Sequence, residues 1–265
     1  MASRPRSTLA HFLSMGLAVA FCVSPAASAV IASSFPTSLQ ASSGAAQSTS
    51  AIDPRASFAE GQAALQSGDL VAAEAAFRRV LSIDPQSGAA YANLGVIAMR
   101  RKEWDRALAL LQKAEKFQPK MSGIRLNIGL VNYRRGDYAA AVAPLASVVR
   151  DEPGSQQARY LLGLCRVFTE HYAEAVAVLE PLWPQMSSDV TYLYVLDIAA
   201  HNARKNELDE KALTRLVEVG GQTPEFHLIL GKAYLNRDEP DKAISELQLA
   251  VSANSTLPYV HFSLG

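Results

Sequence analysis

An all-α solenoid of stacked helical hairpins is the fold class the sequence predicts, and three observations predict it. Gly61, Gly95, Gly129, Gly163, Gly231 and Gly265 share one register, each 34 residues or a multiple of 34 from the others, with Asp197 interrupting the series. Twelve residues after most of these glycines stands an alanine: Ala73, Ala107, Ala141, Ala175 and Ala243. Pro85, Pro119 and Pro153 close the first three units. Self-similarity on one period of this length marks repeat architectures, in which each unit stacks on its neighbours.

Composition agrees. The 265 residues are 49% hydrophobic, enough for a real core, and set 25 basic against 25 acidic residues, which lacks the basic field of a general nucleic-acid binder. Two cysteines, Cys22 and Cys165, are too few for a disulfide scaffold or a cysteine zinc cluster.

In chain order, Arg4 and Arg6 precede an apolar run from Phe12 to Val23, followed by Ala27-Ser28-Ala29. A positive start, a short apolar stretch and a small-residue site are the parts of a secretory signal peptide, so residues 1–29 are expected to be removed after Ala29, taking Cys22 with them. The run is short against the roughly 20 apolar residues of a membrane span; an uncleaved anchor reaching Ile31 is the alternative. The expected location is the periplasm or the exterior. Residues 30–53 are Ser/Ala-rich and nearly uncharged, a flexible linker that cannot bury enough apolar area to offset its ordering entropy. Residues 54–265 hold the array, about six repeats and the start of a seventh.

Each unit divides into two helices. In the second, Tyr91, Leu94, Ala98 and Met99 fall at helical spacing, and Ala107, Leu110, Leu111 and Ala114 do so again after a break. Gly68-Asp69 and Gly136-Asp137 stand at that break, where glycine accepts the left-handed conformation and aspartate caps the next helix. The closing prolines cannot continue the second helix. Small residues let the two helices approach, so Gly95 is expected to face Ala107, while large apolar residues fill the space between successive hairpins.

This pattern resembles the tetratricopeptide repeat family over residues 54–265. The resemblance implies a right-handed superhelix whose first helices line a concave groove. It makes Trp104, Tyr138 and Tyr172, at the start of second helices, a packing ladder. It places on the groove a stripe of Asn93, Val96, Met99 and Arg100, then Leu126, Asn127, Leu130, Tyr133 and Arg134, then Tyr160, Leu164 and Val167. An apolar floor with amides and arginines suits an amphipathic helix or extended peptide; about half of the stripe should instead complete packing between repeats. Some family members grip a terminal carboxylate with cations at set groove positions. Here Asn93 matches one position, but Phe58, Gln62, Gly123 and Asn127 occupy the others, so that clamp is not expected.

The fifth unit departs from the pattern: Asp197 replaces the glycine and Asp209 the alanine, with Ala212 placed to supply a shifted contact. Pro181 and Pro184 flank Trp183 just upstream, predicting a change of curvature between about 180 and 212, and Pro144 predicts a kink in the third unit's second helix. Residues 257–265 read as the opening of a seventh unit that stops at its glycine, as in a fragment of a longer product.

No catalytic or cofactor motif stands out. The five histidines, His11, His171, His201, His227 and His261, lack metal-ligand spacing, although His227 and His261 occupy equivalent places, and no GxGxxG, Walker or GxSxG pattern occurs. Cys165, in an apolar helix, reads as a buried inert thiol. Arg100-Arg101-Lys102 and Arg134-Arg135 end first helices, where cations complement the helix dipole. The expected function is a non-enzymatic scaffold, without cofactor or metal, that binds protein or peptide partners of the cell envelope or exterior and does not bind nucleic acid. The alternative is the recognition region of a larger enzyme or sensor with its catalytic domain beyond Gly265; a small-molecule or glycan sensor is a weaker third reading.

Overall fold

The computed structural model describes residues 53–254. The expected signal peptide, most of the expected linker, Cys22, His11, His261 and the expected opening of a seventh unit lie outside the described residues. The described residues are helical hairpins and contain no strand. They fall into two compact units that divide between Arg135 and Gly136.

The first unit holds α1 (Pro54–Ser67), α2 (Leu70–Ile83), α3 (Gly88–Arg100), α4 (Trp104–Phe117) and α5 (Ser122–Arg134). The second holds α6 (Tyr138–Asp151), α7 (Gln156–Phe168), α8 (Tyr172–Leu179), a 3-10 turn (Glu180–Leu182), α9 (Trp183–Met186), α10 (Val190–Asn202), α11 (Asn206–Val219), α12 (Pro224–Asn236) and α13 (Pro240–Ala253). Second helices end just before the closing prolines, at Ile83, Phe117 and Asp151.

The turn inside each repeat follows one backbone rule. Gly68 and Gly136 take φ of 85° and 81°. Asp69 then accepts hydrogen bonds from the Val71 and Ala72 amides at 3.1 and 2.9 Å, and Asp137 from the Ala140 amide at 3.0 Å, as the cap reading expects. The same register holds Lys102, Glu170, Arg204 and Asp238, which take φ of 60°, 60°, 57° and 56° without being glycine. A side chain there costs roughly 1–2 kcal/mol of steric strain. The hairpin imposes this turn whatever residue stands in it.

The periodic glycines sit where helices cross. A methyl group at Gly95 would lie 2.8 Å from Leu111 Cγ and 3.5 Å from the Ala107 carbonyl oxygen, so the nearest neighbour is Leu111 rather than Ala107. Gly61 meets the Phe77 ring at 2.9 Å, Gly231 meets Leu247 at 2.7 Å, and Gly163 meets Leu179. The partner always follows by sixteen residues, so Phe77, Leu111, Leu145, Leu179, Leu213 and Leu247 form a second series on the same period. The alanines Ala73, Ala107, Ala141, Ala175 and Ala243 are fully buried beside this contact. One core joins Phe58, Leu65 and Phe77 to Ala90, Leu94 and Ile97 across α1, α2 and α3; another joins Ala107 and Leu111 to Ile124, Ile128 and Val131 across α3, α4 and α5. Burial of this kind, at about 25 cal/mol per Å², drives the stacking that no single hairpin achieves alone.

In the first unit, arginines at the ends of first helices tie one hairpin to the one before. Arg100 donates to the Leu65 carbonyl at 2.7 Å. Arg101 pairs with Glu74 and Arg135 with Asp105 at 3.1 Å. Glu74 also receives Arg106 at 2.5 Å and Arg78 at 2.7 Å. Burial would raise the Glu74 carboxyl, but hydrogen bonds from Arg106 and Arg101 outweigh it and hold it below the usual carboxylate range. Beyond complementing a helix dipole, these side chains therefore carry long-range ties.

The aromatic residues that open second helices also pack. Trp104 lies against the core of α3, α4 and α5, and Tyr138 stacks on Phe168 with ring centroids 4.0 Å apart. In the fourth repeat the second helix breaks after Leu179, passes through the 3-10 turn around Pro181 and resumes as α9. Proline removes the backbone donor that a continuous helix needs there. By contrast, α6 runs unbroken through Pro144.

Two outcomes follow from these local rules. Lys102→Gly and Glu170→Gly relieve the left-handed strain and should each raise stability by about 0.5 kcal/mol after the entropic cost of glycine, read as a higher urea midpoint. Cys165 is fully buried, and burial pushes its thiol up to about 12, so no thiolate forms near neutral pH. Ellman's reagent should therefore leave Cys165 unmodified in the native protein and label it only on addition of denaturant.

Candidate functional site

The stripe on the first helices separates into a floor and an edge. Asn93, Val96, Leu126, Asn127, Leu130, Tyr160, Leu164 and Val167 are buried, Leu126 the most exposed of them at 9%. They serve as packing in this structure. Met99, Arg100 and Tyr133 are half-buried, and Arg134 is exposed. In the first unit the edge is regular: Met99 and Tyr133 stand one repeat apart, and so do Arg100 and Arg134. Adjacent first helices α3 and α5 thus each end on a half-buried large apolar group followed by an arginine, Arg100 held by the Leu65 carbonyl and Arg134 exposed. Under this edge, Asn93 donates to the Ala89 carbonyl at 2.9 Å, while its Oδ1 and the Asn127 Nδ2 are buried without a hydrogen-bond partner.

The second unit places a polar cluster where the other repeats have small residues. Asp197 of α10 is fully buried in the glycine position, and Asp209 of α11 is nearly so in the alanine position. Arg237, the residue after α12, reaches between them. It donates to Asp197 Oδ1 through Nη2 at 2.8 Å and Nε at 3.3 Å, to the Asp209 carbonyl at 3.1 Å and to the Asp209 carboxylate. His201 Nδ1 lies 3.1 Å from the second Asp209 oxygen. Ala212 is fully buried as the shifted contact requires, while Leu213, in the register of Leu111, is only half-buried. With aspartate at 197, the leucine of this register is left less covered than Leu111. Sequence reasoning singled out the two aspartates but not Arg237, which sits 40 residues from Asp197.

Other polar groups are paired in simpler ways. His227 Nδ1 meets Glu246 at 2.7 Å inside the α12–α13 hairpin. A cavity of about 530 Å³ beside α11 is lined by Glu180, Arg204, Lys205, Glu207 and Lys211, charges of both signs with no nucleophile and base held together. Among the described residues no group of three or more His, Cys, Asp or Glu is placed to hold a metal ion. None of the described helices is long and apolar enough to cross a membrane.

Comparison with known proteins gives the fold its family. Two tetratricopeptide repeat models match, one over residues 64–123 and 133–195, the other over 203–258. A search of the curated proteins gives no match. Among solved structures the chain is similar to Pseudomonas aeruginosa PilF, at 21% identity and a TM-score of 0.60, covering 79% of this chain and 96% of that one. It is similar to YrrB, described as a TPR protein with an unusual peptide-binding site, at 16% identity and a TM-score of 0.57 over 71% of this chain and 96% of that one. MamA from Desulfovibrio magneticus RS-1 aligns at 20% identity and a TM-score of 0.57 over 65% of this chain and 97% of that one. At these identities the likeness is one of fold. With repeat models matching most of the array and helical hairpins recurring on its period, the chain belongs to the tetratricopeptide repeat family.

Proposed function

We propose that the protein is a non-enzymatic binding scaffold, exported to the cell envelope or exterior, that holds an amphipathic segment of a partner protein along its first helices. The observation that supports this reading most is the paired edge of the first unit. Half-buried Met99 and Tyr133 stand one repeat apart, each followed by an arginine: Arg100, which is tied to the Leu65 carbonyl, and Arg134, which is exposed. A partner segment with apolar side chains on one face and carboxylates beside them matches that spacing. Apolar area gives affinity, while the exposed Arg134 guanidinium fixes orientation. Membership of a repeat family built for protein contacts supports the same class of partner, and the balanced charge of the whole chain favours protein over nucleic acid. The buried floor supports the edge and is not itself the contact.

The export half of the proposal rests on the leading cations, the apolar run and the small-residue site. Two measurements test the reading. Full-length protein should capture defined partners from an envelope extract, and Tyr133→Ala combined with Arg134→Glu should weaken capture at least about tenfold, equivalent to about 1.4 kcal/mol, with an unchanged helical circular-dichroism spectrum. Equal capture by that folded variant would refute the edge. For export, the mature protein recovered outside the cytoplasm should begin at Val30 by intact mass; retention of the leader would replace cleavage with an anchor.

A further inference from the structure

Each ordinary repeat closes its hairpin with glycine against an apolar residue, but the α10–α11 hairpin closes on charge. Asp197 is 0% exposed and its Oδ2 is buried without a hydrogen-bond partner, while its Oδ1 shares the Arg237 guanidinium with Asp209. Arg237 belongs to the next hairpin, so the shared guanidinium is also the tie between hairpins. A second tie lies beside it, where Asn202 donates to Asn236 Oδ1 at 3.2 Å.

We propose that Asp197, Asp209 and Arg237 form a proton-operated latch that sets how firmly the α12–α13 hairpin docks on α10–α11. With both carboxylates ionised, two negative charges face one guanidinium in a buried place, leaving one negative charge uncompensated. Like charges that share a site cannot both ionise without cost, so one proton resides on the pair. Asp197 is its seat, since its free oxygen is the one without a partner. A proton on Oδ2 leaves Oδ1 to accept from Arg237 and removes the excess charge.

The surrounding groups are placed to support this. On α10 itself, Tyr194 is buried near Asp197 and burial pushes its phenol above the ordinary tyrosine range, so it stays neutral. His201 addresses Asp209, not Asp197. From the α12 side come Arg237 and, beyond it, Glu239, with Lys232 earlier on the helix, where burial pushes its ammonium below the usual lysine value. On α7 and α8, Arg166 and Glu174 pair with each other at 2.5 Å, and Arg159 donates to the Pro153 carbonyl at 2.8 Å. Burial pushes the Asp197 carboxyl up to about 7, against the opposing pull of Arg237. A carboxyl raised on folding from an ordinary value of about 3.9 contributes stability that is full below about pH 4 and is lost as the pH rises through about 7. The latch therefore tightens on mild acidification and is already loose once the pH passes neutrality.

The test is a series of thermal melts of the full chain between pH 5.5 and 8.5. The midpoint should fall by about 5 °C over that range. Asp197→Asn, which keeps the shape and fixes the neutral state, should abolish the fall, while His201→Gln should retain it. A fall that persists in Asp197→Asn, a fall that vanishes in His201→Gln, or no fall in the unmodified protein would each overturn the proposal. Because Asp197→Asn can fail to fold, the second measurement needs no variant: carbon-detected NMR of the aspartate carboxyls should show one buried group titrating near 7, and titration of every aspartate below pH 5 would refute the latch.

Discussion

Two helices can cross as closely as these do only if one presents no side chain at the crossing. That constraint fixes Gly61, Gly95, Gly163 and Gly231 opposite Phe77, Leu111, Leu179 and Leu247, and the rest of each repeat is built round it. Because the large partner lies in the next helix of the same unit, the contact sets the angle of the hairpin before any neighbour is present. The apolar faces left over, such as Leu94 and Ile97 on α3, then find cover on the preceding hairpin. Local closeness and nearest-neighbour burial are thus one constraint expressed at two scales.

Much of this was legible in the sequence because glycine, alanine and proline have few other reasons to recur on a fixed period. The capped turns at Gly68-Asp69 and Gly136-Asp137 were readable for the same reason. The equivalent turns at Lys102, Glu170, Arg204 and Asp238 were not, since tertiary geometry holds them in a conformation that their residue types do not favour. The series from Phe77 to Leu247 was visible in the text but went unread, because one more leucine in a leucine-rich helix carries little signal. It becomes informative only when paired with the glycine sixteen residues earlier.

The candidate binding stripe was less legible. Asn93, Val96, Leu126, Asn127, Leu130, Tyr160, Leu164 and Val167 fall on the face that the family resemblance assigns to a groove, yet they are buried. An apolar residue on a first helix has the same helical spacing whether it meets a partner or the neighbouring repeat. The last turn of the helix is less covered: Met99, Arg100 and Tyr133 are half-buried and Arg134 is exposed. The arginine ties escaped for a related reason: a local reading assigned Arg101 and Arg135 to the helix dipole, whereas their carboxylates lie a repeat away, at Glu74 and Asp105.

The fifth hairpin shows what happens when the constraint is broken and met in another way. Asp197 alone at a helix crossing would combine steric intrusion with an unpaired buried charge, and Asp209 alone would repeat the second fault. Arg237 answers both, but only with both present does its guanidinium have enough acceptors. Removing one partner of such a buried set costs about 3–5 kcal/mol, whereas replacing the whole set by apolar residues of similar volume is often neutral or favourable. The three residues therefore act as a unit whose net contribution to stability is small. What they supply is a charged contact at the helix crossing itself, where Gly61, Gly95, Gly163 and Gly231 meet an apolar side chain.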